Sequence, residues 1–176
     1  GYEAHSMEHG DHVALHHDLD APLVDCSSIE DWKEKFKGQK VFVTPHHMGY
    51  QTGYRGYNWK CFSEGDQTPF VEMLSRHGLA EGDMGDINYY HDMGPRQWEG
   101  TIQYGVLAES LNRDNIWEGL RSRHTCCATG DKINIDFRLN DAFMGDVVRG
   151  DKRRIYLNVT GESCIDYVDV IKNNRL

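Results

Sequence analysis

Gly38-Gln39-Lys40-Val41-Phe42-Val43-Thr44-Pro45-His46-His47 is the stretch on which the reading of the fold turns. Lys40 to Thr44 is apolar and β-branched at its centre, the composition of a buried strand, and Pro45 stops it because proline has no N–H for a strand ladder. Just upstream, Ser27 with Glu30 forms a capping-box pattern that opens a short amphipathic helix through Trp32 and Phe36. Gly38 closes that helix. A helix, a tight glycine turn and an apolar strand in succession are the rhythm of an α/β fold with a mainly parallel sheet.

Working outward, Gly1 to His17 alternates weakly around Tyr2, Val13 and Leu15, as a strand and its turn would. Gly49 to Asp66 is rich in Gly and Tyr and reads as a long loop. Phe70 to Leu74 is the next expected strand, and Gly78 to Gly105 is loop-like again. Asn112 caps a second helix that runs through Ile116, Trp117 and Leu120 to about Arg123. After Gly130 the pattern changes: Ile133–Leu139 and Ile155–Val159 alternate strictly, and Tyr167–Ile171 makes a third run. Residues 1–130 are therefore expected to form an α/β unit, and residues 131–176 a small antiparallel β unit.

Composition narrows the function classes. The 176 residues are 39% hydrophobic and 11% aromatic, enough for a core of ordinary size. With 28 acidic against 19 basic residues the net charge is -9, which argues against a nucleic-acid surface, since phosphates demand clustered Lys and Arg. No run approaches the roughly 18 apolar residues of a membrane span. Five cysteines with no CxxC spacing read as free thiols in a reducing, cytoplasmic setting.

Ten histidines are the anomaly, and five of them (His5, His9, His12, His16 and His17) fall within the first 17 residues. Imidazole nitrogen and carboxylate oxygen, held on rigid elements around one cavity, are what borderline divalent metals take. His46 and His47 sit just past the best strand. The pleat alone would let only one of them face a common site, a limit that a turn after Pro45 could relax. Glu72 lies in an apolar run, where a carboxylate is costly unless paired or metal-bound. His77 follows three residues after that run. Glu3 shares a strand face with His5, and His12 could return on the following strand. A solvated His pair, an outward-facing Glu72 and a purely compositional His tract remain the competing explanations. No GxSxG elbow, Walker A loop, GxGxxG fingerprint or HExxH motif is present.

Gly1-Tyr2-Glu3 leading into the His-rich stretch, Val43-Thr44-Pro45-His46-His47 and Phe70-Val71-Glu72-Met73-Leu74-Ser75-Arg76-His77-Gly78 follow one another along the chain. So do Trp117-Glu118-Gly119-Leu120-Arg121-Ser122-Arg123-His124-Thr125 and Ala128-Thr129-Gly130-Asp131-Lys132-Ile133. Together these motifs resemble an uncharacterised branch of the polymerase-and-histidinol-phosphatase (PHP) superfamily of metal-dependent phosphoesterases. The resemblance implies a partial distorted β/α barrel followed by a small antiparallel β domain. It implies metal ligands at Glu3, at one or both of His46 and His47, and at Glu72 and His77, with His12 added from the reading above. Zinc, manganese or iron would be the metal and a small phosphoester the substrate, with Arg55 or Arg96 orienting its phosphate.

Two departures from the family pattern set the alternative. Its opening His-x-His motif would lie upstream of Gly1, and its closing Asp-x-His motif, expected between Trp98 and Glu109, is missing. The chain thus reads as an incomplete portion with an internal deletion, whose exposed strand edges would favour association with another chain. The alternative to a phosphoesterase is a catalytically inactive remnant acting as a metal-binding or interaction module.

Overall fold

The computed structural model describes residues 1–25, 28–47, 53, 55–58, 69–72, 74–75, 78–79, 102–173 and 175. The first sheet has three strands, β1 (Tyr2–Ala4), β2 (His12–His16) and β3 (Val41–Pro45), in the order β1-β2-β3. Both pairings are antiparallel, with Glu3 opposite Val13 and Val13 opposite Thr44. Helix α1 (Ile29–Lys35) lies in the connection from β2 to β3. Its N-cap is Ser28, whose hydroxyl accepts from the Asp31 amide at 3.1 Å, one residue later than the expected capping position. Glu30 and Asp31 in the first turn and Lys33 and Lys35 in the last complement the helix dipole.

Helix α1 covers one face of this sheet. Trp32 and Phe36, one turn apart, pack with Ala14, Val41 and Val43 into the core cluster, and Tyr2, Ala4 and Val24 flank it. The other face carries Val13, Leu15, Phe42 and Thr44. Phe42 stacks on Trp117 with ring centroids 3.9 Å apart and meets Phe70 edge-on at 5.4 Å. Trp117 belongs to helix α2 (Arg113–Arg121), capped by the Asn112 side chain accepting from the Asn115 amide at 2.8 Å.

The remaining described strands form three more antiparallel sheets. β4 (Leu74–Ser75) pairs with β5 (Gly78–Leu79), and β6 (Ile102–Val106) pairs with β7 (Thr125–Thr129) across α2. β8 (Asn134–Leu139), β9 (Ala142–Phe143) and β10 (Ile155–Thr160) form a sheet in the order β10-β8-β9.

This architecture overturns the expected barrel. A β/α barrel needs successive parallel strands with a helix after each, whereas every strand pair among the described residues is antiparallel and only two helices occur there. The connection through α1 leaves β2 at His16 and re-enters at Val41, directly opposite it. Helix and strand thus return to the same end of the sheet instead of crossing it. β3 looks like a parallel strand in sequence because it is buried on both faces, by α1 on one side and by Phe70 and Trp117 on the other.

Two further expectations change. Glu72 precedes β4 instead of lying inside a strand from Phe70 to Leu74. Tyr167–Ile171 forms no strand, and Tyr167, Val168, Val170 and Ile171 are exposed. Among the described residues no helix is long and apolar enough to cross a membrane.

Candidate metal centre

The edge of the first sheet nearest its β3 exit gathers the polar groups. Glu3 sits at the centre of β1, and its register partner Val13 and Thr44 beyond it place all three on the face opposite α1. His46 and His47 follow Pro45, the last residue of β3. His47 has φ +51, and this left-handed turn breaks the alternation that would have sent the two imidazoles apart. Their rings instead lie 3.7 Å apart, centroid to centroid. The His46 amide donates to the Asp11 carbonyl at 2.9 Å, which ties this turn to the entry of β2.

Glu3, His46 and His47 each present one ligand atom within a 4.8 Å span. Glu3 Oε1 is 3.5 Å from His46 Nε2 and 3.9 Å from His47 Nδ1. Metal–ligand bonds of ~2.0–2.2 Å at a tetrahedral angle set ligand atoms ~3.3–3.6 Å apart, and both Glu3 distances lie within a few tenths of an ångström of that range. Glu72 stands behind this group: its Oε2 lies 2.8 Å from His46 Nδ1 and accepts the His47 amide at 2.9 Å. A carboxylate on the far nitrogen of an imidazole fixes its tautomer and aims the other nitrogen, here toward Glu3.

A second group, Glu3, His5 and Asp11, shares Glu3 with the first. His5 Nδ1 is 3.4 Å from Glu3 Oε1 and 3.3 Å from Asp11 Oδ2. A cation is already present there, since the Arg55 guanidinium reaches all three, with Nη2 2.6 Å from Asp11, 2.8 Å from His5 and 3.5 Å from Glu3. Arg55 has φ +66, and its carbonyl accepts the Asp11 amide at 3.0 Å. Gly10 makes this junction possible. With φ +86 its α-carbon faces the 56–57 backbone so closely that a Cβ would fall 2.5 Å from Tyr57 Cα and 2.6 Å from the Gly56 oxygen.

Burial and charge tune these groups in opposite senses. Burial alone would raise the Asp11 carboxyl, but hydrogen bonds from Arg55, His47, His5 and the Ser6 amide outweigh it and hold it below the usual range. Burial opposes protonation of His46, yet the hydrogen bond and charge of Glu72, with Glu3 and Asp11, raise it above the ordinary imidazole value. His47 is lowered, chiefly by burial and by the neighbouring His46 charge, despite its bond to Asp11. One imidazole therefore favours its proton and the other its neutral form.

Of the residues singled out in the sequence, Glu3, His46, His47 and Glu72 come together. His12 does not join them. It pairs with Ala4 and Pro45, one step out of phase with Glu3, and so faces α1, against the rings of Trp32 and Tyr57. His12 Nδ1 contacts the Gly10 carbonyl at 2.9 Å, while its Nε2, His9 Nδ1 and Trp32 Nε1 have no hydrogen-bond partner among the described residues. These side chains border a cavity of about 30 Å³, room for a single water. Arg55 lies at the centre, but bonded to Asp11, Glu3 and His5. His77 and Arg96 lie outside the described residues. Asp11 was missed by sequence reasoning. Its only signal was a turn position after Gly10, ahead of the alternating β2 run.

Comparison with protein-family models, with curated proteins and with solved structures finds no match. Together with the antiparallel sheets, this corrects the PHP resemblance and the phosphoesterase function drawn from it: the described residues form no barrel mouth at which a PHP-type centre could be assembled. They bring together two small His/Asp/Glu groups with the capacity to hold a divalent metal.

Proposed function

We propose that this chain is a divalent-metal-binding module whose ligands are Glu3, His46 and His47, with Glu72 orienting His46. The observation that carries the reading is the spacing of 3.5 and 3.9 Å from Glu3 Oε1 to the two imidazole nitrogens, close to what a tetrahedral ion requires. Two imidazoles and one carboxylate form a borderline donor set, which disfavours calcium and magnesium. Among zinc, iron and manganese, the intrinsic order of affinities places zinc first. Three protein ligands leave a fourth position open to water or to a small ligand. Reduced thiols such as Cys126 and Cys164 suit a reducing, cytoplasmic setting for such a module.

The test is elemental analysis of the purified chain after equilibration with zinc and desalting, beside a His46→Ala/His47→Ala variant. One zinc per chain that is lost in the variant supports the reading. Zinc retained by the variant, or none bound by the parent, rejects it.

A further inference from the structure

Strand β10 is an edge of the C-terminal sheet, and no described residue pairs with its outer side. The direction of its backbone groups follows from the turn beside it. The Arg154 carbonyl accepts the Asn140 amide at 2.7 Å, and the Arg154 amide donates to Asn140 Oδ1 at 2.9 Å, so both groups point toward β8. Backbone groups alternate sides along a strand. Tyr156, Asn158 and Thr160 therefore bond β8, while the amides and carbonyls of Ile155, Leu157 and Val159 point out of the edge. The devices that usually guard such an edge are missing, since its six residues hold neither a proline nor a charge. Ile155 and Tyr156 are 51% and 52% exposed, and Ile133, Ile165 and Val168 add to the exposed apolar surface of this unit.

We infer that β10 is a dimerisation edge, pairing antiparallel with β10 of a second copy of this chain about a two-fold axis at Leu157. Three observations select that occupant. Only the outward set can exchange backbone bonds, and the register centred on Leu157 uses all of it. Leu157 then faces its own copy and Ile155 faces Val159 of the partner subunit, giving about six new amide–carbonyl bonds, two for each of three pairs. The same register, carried outward, sets Lys152 against Glu162 of the partner subunit at both ends. A parallel pairing would instead set the basic run Lys152–Arg154 against itself. A different protein could also add a strand by backbone bonds, but this match of a basic start to an acidic end belongs to β10 with its own copy. Finally, the register with β8 puts Ile155, Leu157 and Val159 on one face with Leu139, Phe137 and Ile135. Joining two copies extends that apolar face across both sheets, while Tyr156 meets Asn158 of the partner subunit on the polar face. The pairing is independent of the metal centre.

Sedimentation velocity of the full chain across a range of concentrations tests the assignment. A single strand pair makes a small interface, so a dissociation constant of about 1–100 μM is expected. The sedimenting mass should pass from the 20.2 kDa monomer to twice that value as concentration crosses it. Val159→Pro removes an amide that points out of the edge and none that bonds β8, so circular dichroism should stay parental while the dimer weakens by at least about tenfold. Lys152 and Glu162 are both exposed, so their exchange leaves the core untouched. Lys152→Glu alone sets like charges opposite each other at both ends and should weaken the dimer by about threefold or more, and adding Glu162→Lys should restore it. A monomer at every concentration, growth beyond a dimer, or association unchanged by Val159→Pro in folded protein overturns the edge pairing. Association that ignores Lys152→Glu, or that Glu162→Lys fails to restore, overturns the antiparallel register.

Discussion

Arg55 holds one oxygen of Asp11 with two nitrogens, Nε at 2.7 Å and Nη2 at 2.6 Å from Oδ2. The same oxygen takes His47 Nδ1 at 3.0 Å, and Asp11 itself is fully buried. Removing one partner of a buried ion pair costs about 3–5 kcal/mol because the other charge is left stranded. Arg55 is 36% exposed, so water offsets part of this, and Arg55→Met is expected to cost about 2 kcal/mol in urea unfolding without metal. The same variant frees Glu3 Oε1 from the guanidinium, so zinc should bind more tightly at Glu3, His46 and His47. An unchanged zinc affinity would show that Arg55 and the ion do not compete for Glu3.

Glu72 tests the orientation of His46. Glu72→Gln keeps the side-chain size but removes the carboxylate that faces His46 Nδ1 and accepts the His47 amide. Loss of such a supporting carboxylate typically weakens metal binding by about 10–100-fold. Zinc competition against a chromophoric chelator measures this, and a change under about threefold would mean that His46 is aimed by its backbone turn alone.

His12 makes stability depend on pH. Burial lowers its pKa from the ordinary 6.5, reinforced by the His9 and Lys33 charges and opposed by the Gly10 carbonyl and the Asp11 charge. The unfolded chain then binds more protons than the folded one below about pH 6.5. Stability from this residue is complete above that value and is lost as pH falls through it toward the lowered folded value. His12→Phe keeps a ring against Trp32 and Tyr57 and should reduce the loss in urea midpoint between pH 7.5 and 5.5, read as the difference from the parent chain. Parallel losses in both proteins would place the acid sensitivity elsewhere, His16 and His47 being the other imidazoles lowered by burial.

Gly10 and Gly38 form a matched pair. Both have positive φ, but a Cβ at Gly38 meets nothing within 4 Å, whereas one at Gly10 strikes the 56–57 backbone. Gly38→Ala should cost about 1 kcal/mol, the left-handed penalty alone. Gly10→Ala should cost at least about 2 kcal/mol and tighten zinc binding, because it displaces the segment that delivers Arg55, which competes with the ion for Glu3. Equal thermal shifts for the two would contradict the close approach.

The helices and the main strands could be read from the chain because their signals are local. Asn112 caps α2, Trp32 and Phe36 recur one turn apart, and β8 and β10 alternate. How strands pair is not local. An apolar run such as Val41–Val43 records burial on two faces and says nothing about direction, so the parallel reading and the barrel built on it failed together. Register decided the site residues in the same way. Glu3 pairs with Val13, not His12, and one step along a strand exchanges its faces, which separates His12 from the cluster. His46 and His47 converge only through the left-handed turn at His47, which periodicity does not encode.

Glu3 has a single carboxylate, and both ligand groups need it. A cation captured between Glu3, His46 and His47 therefore withdraws that carboxylate from Arg55. By reciprocity, anything that draws Arg55 away must tighten the hold on the cation. Occupancy at the end of β3 is in this way transmitted to the 55–58 segment through one side chain, making the arginine a built-in antagonist of the ion.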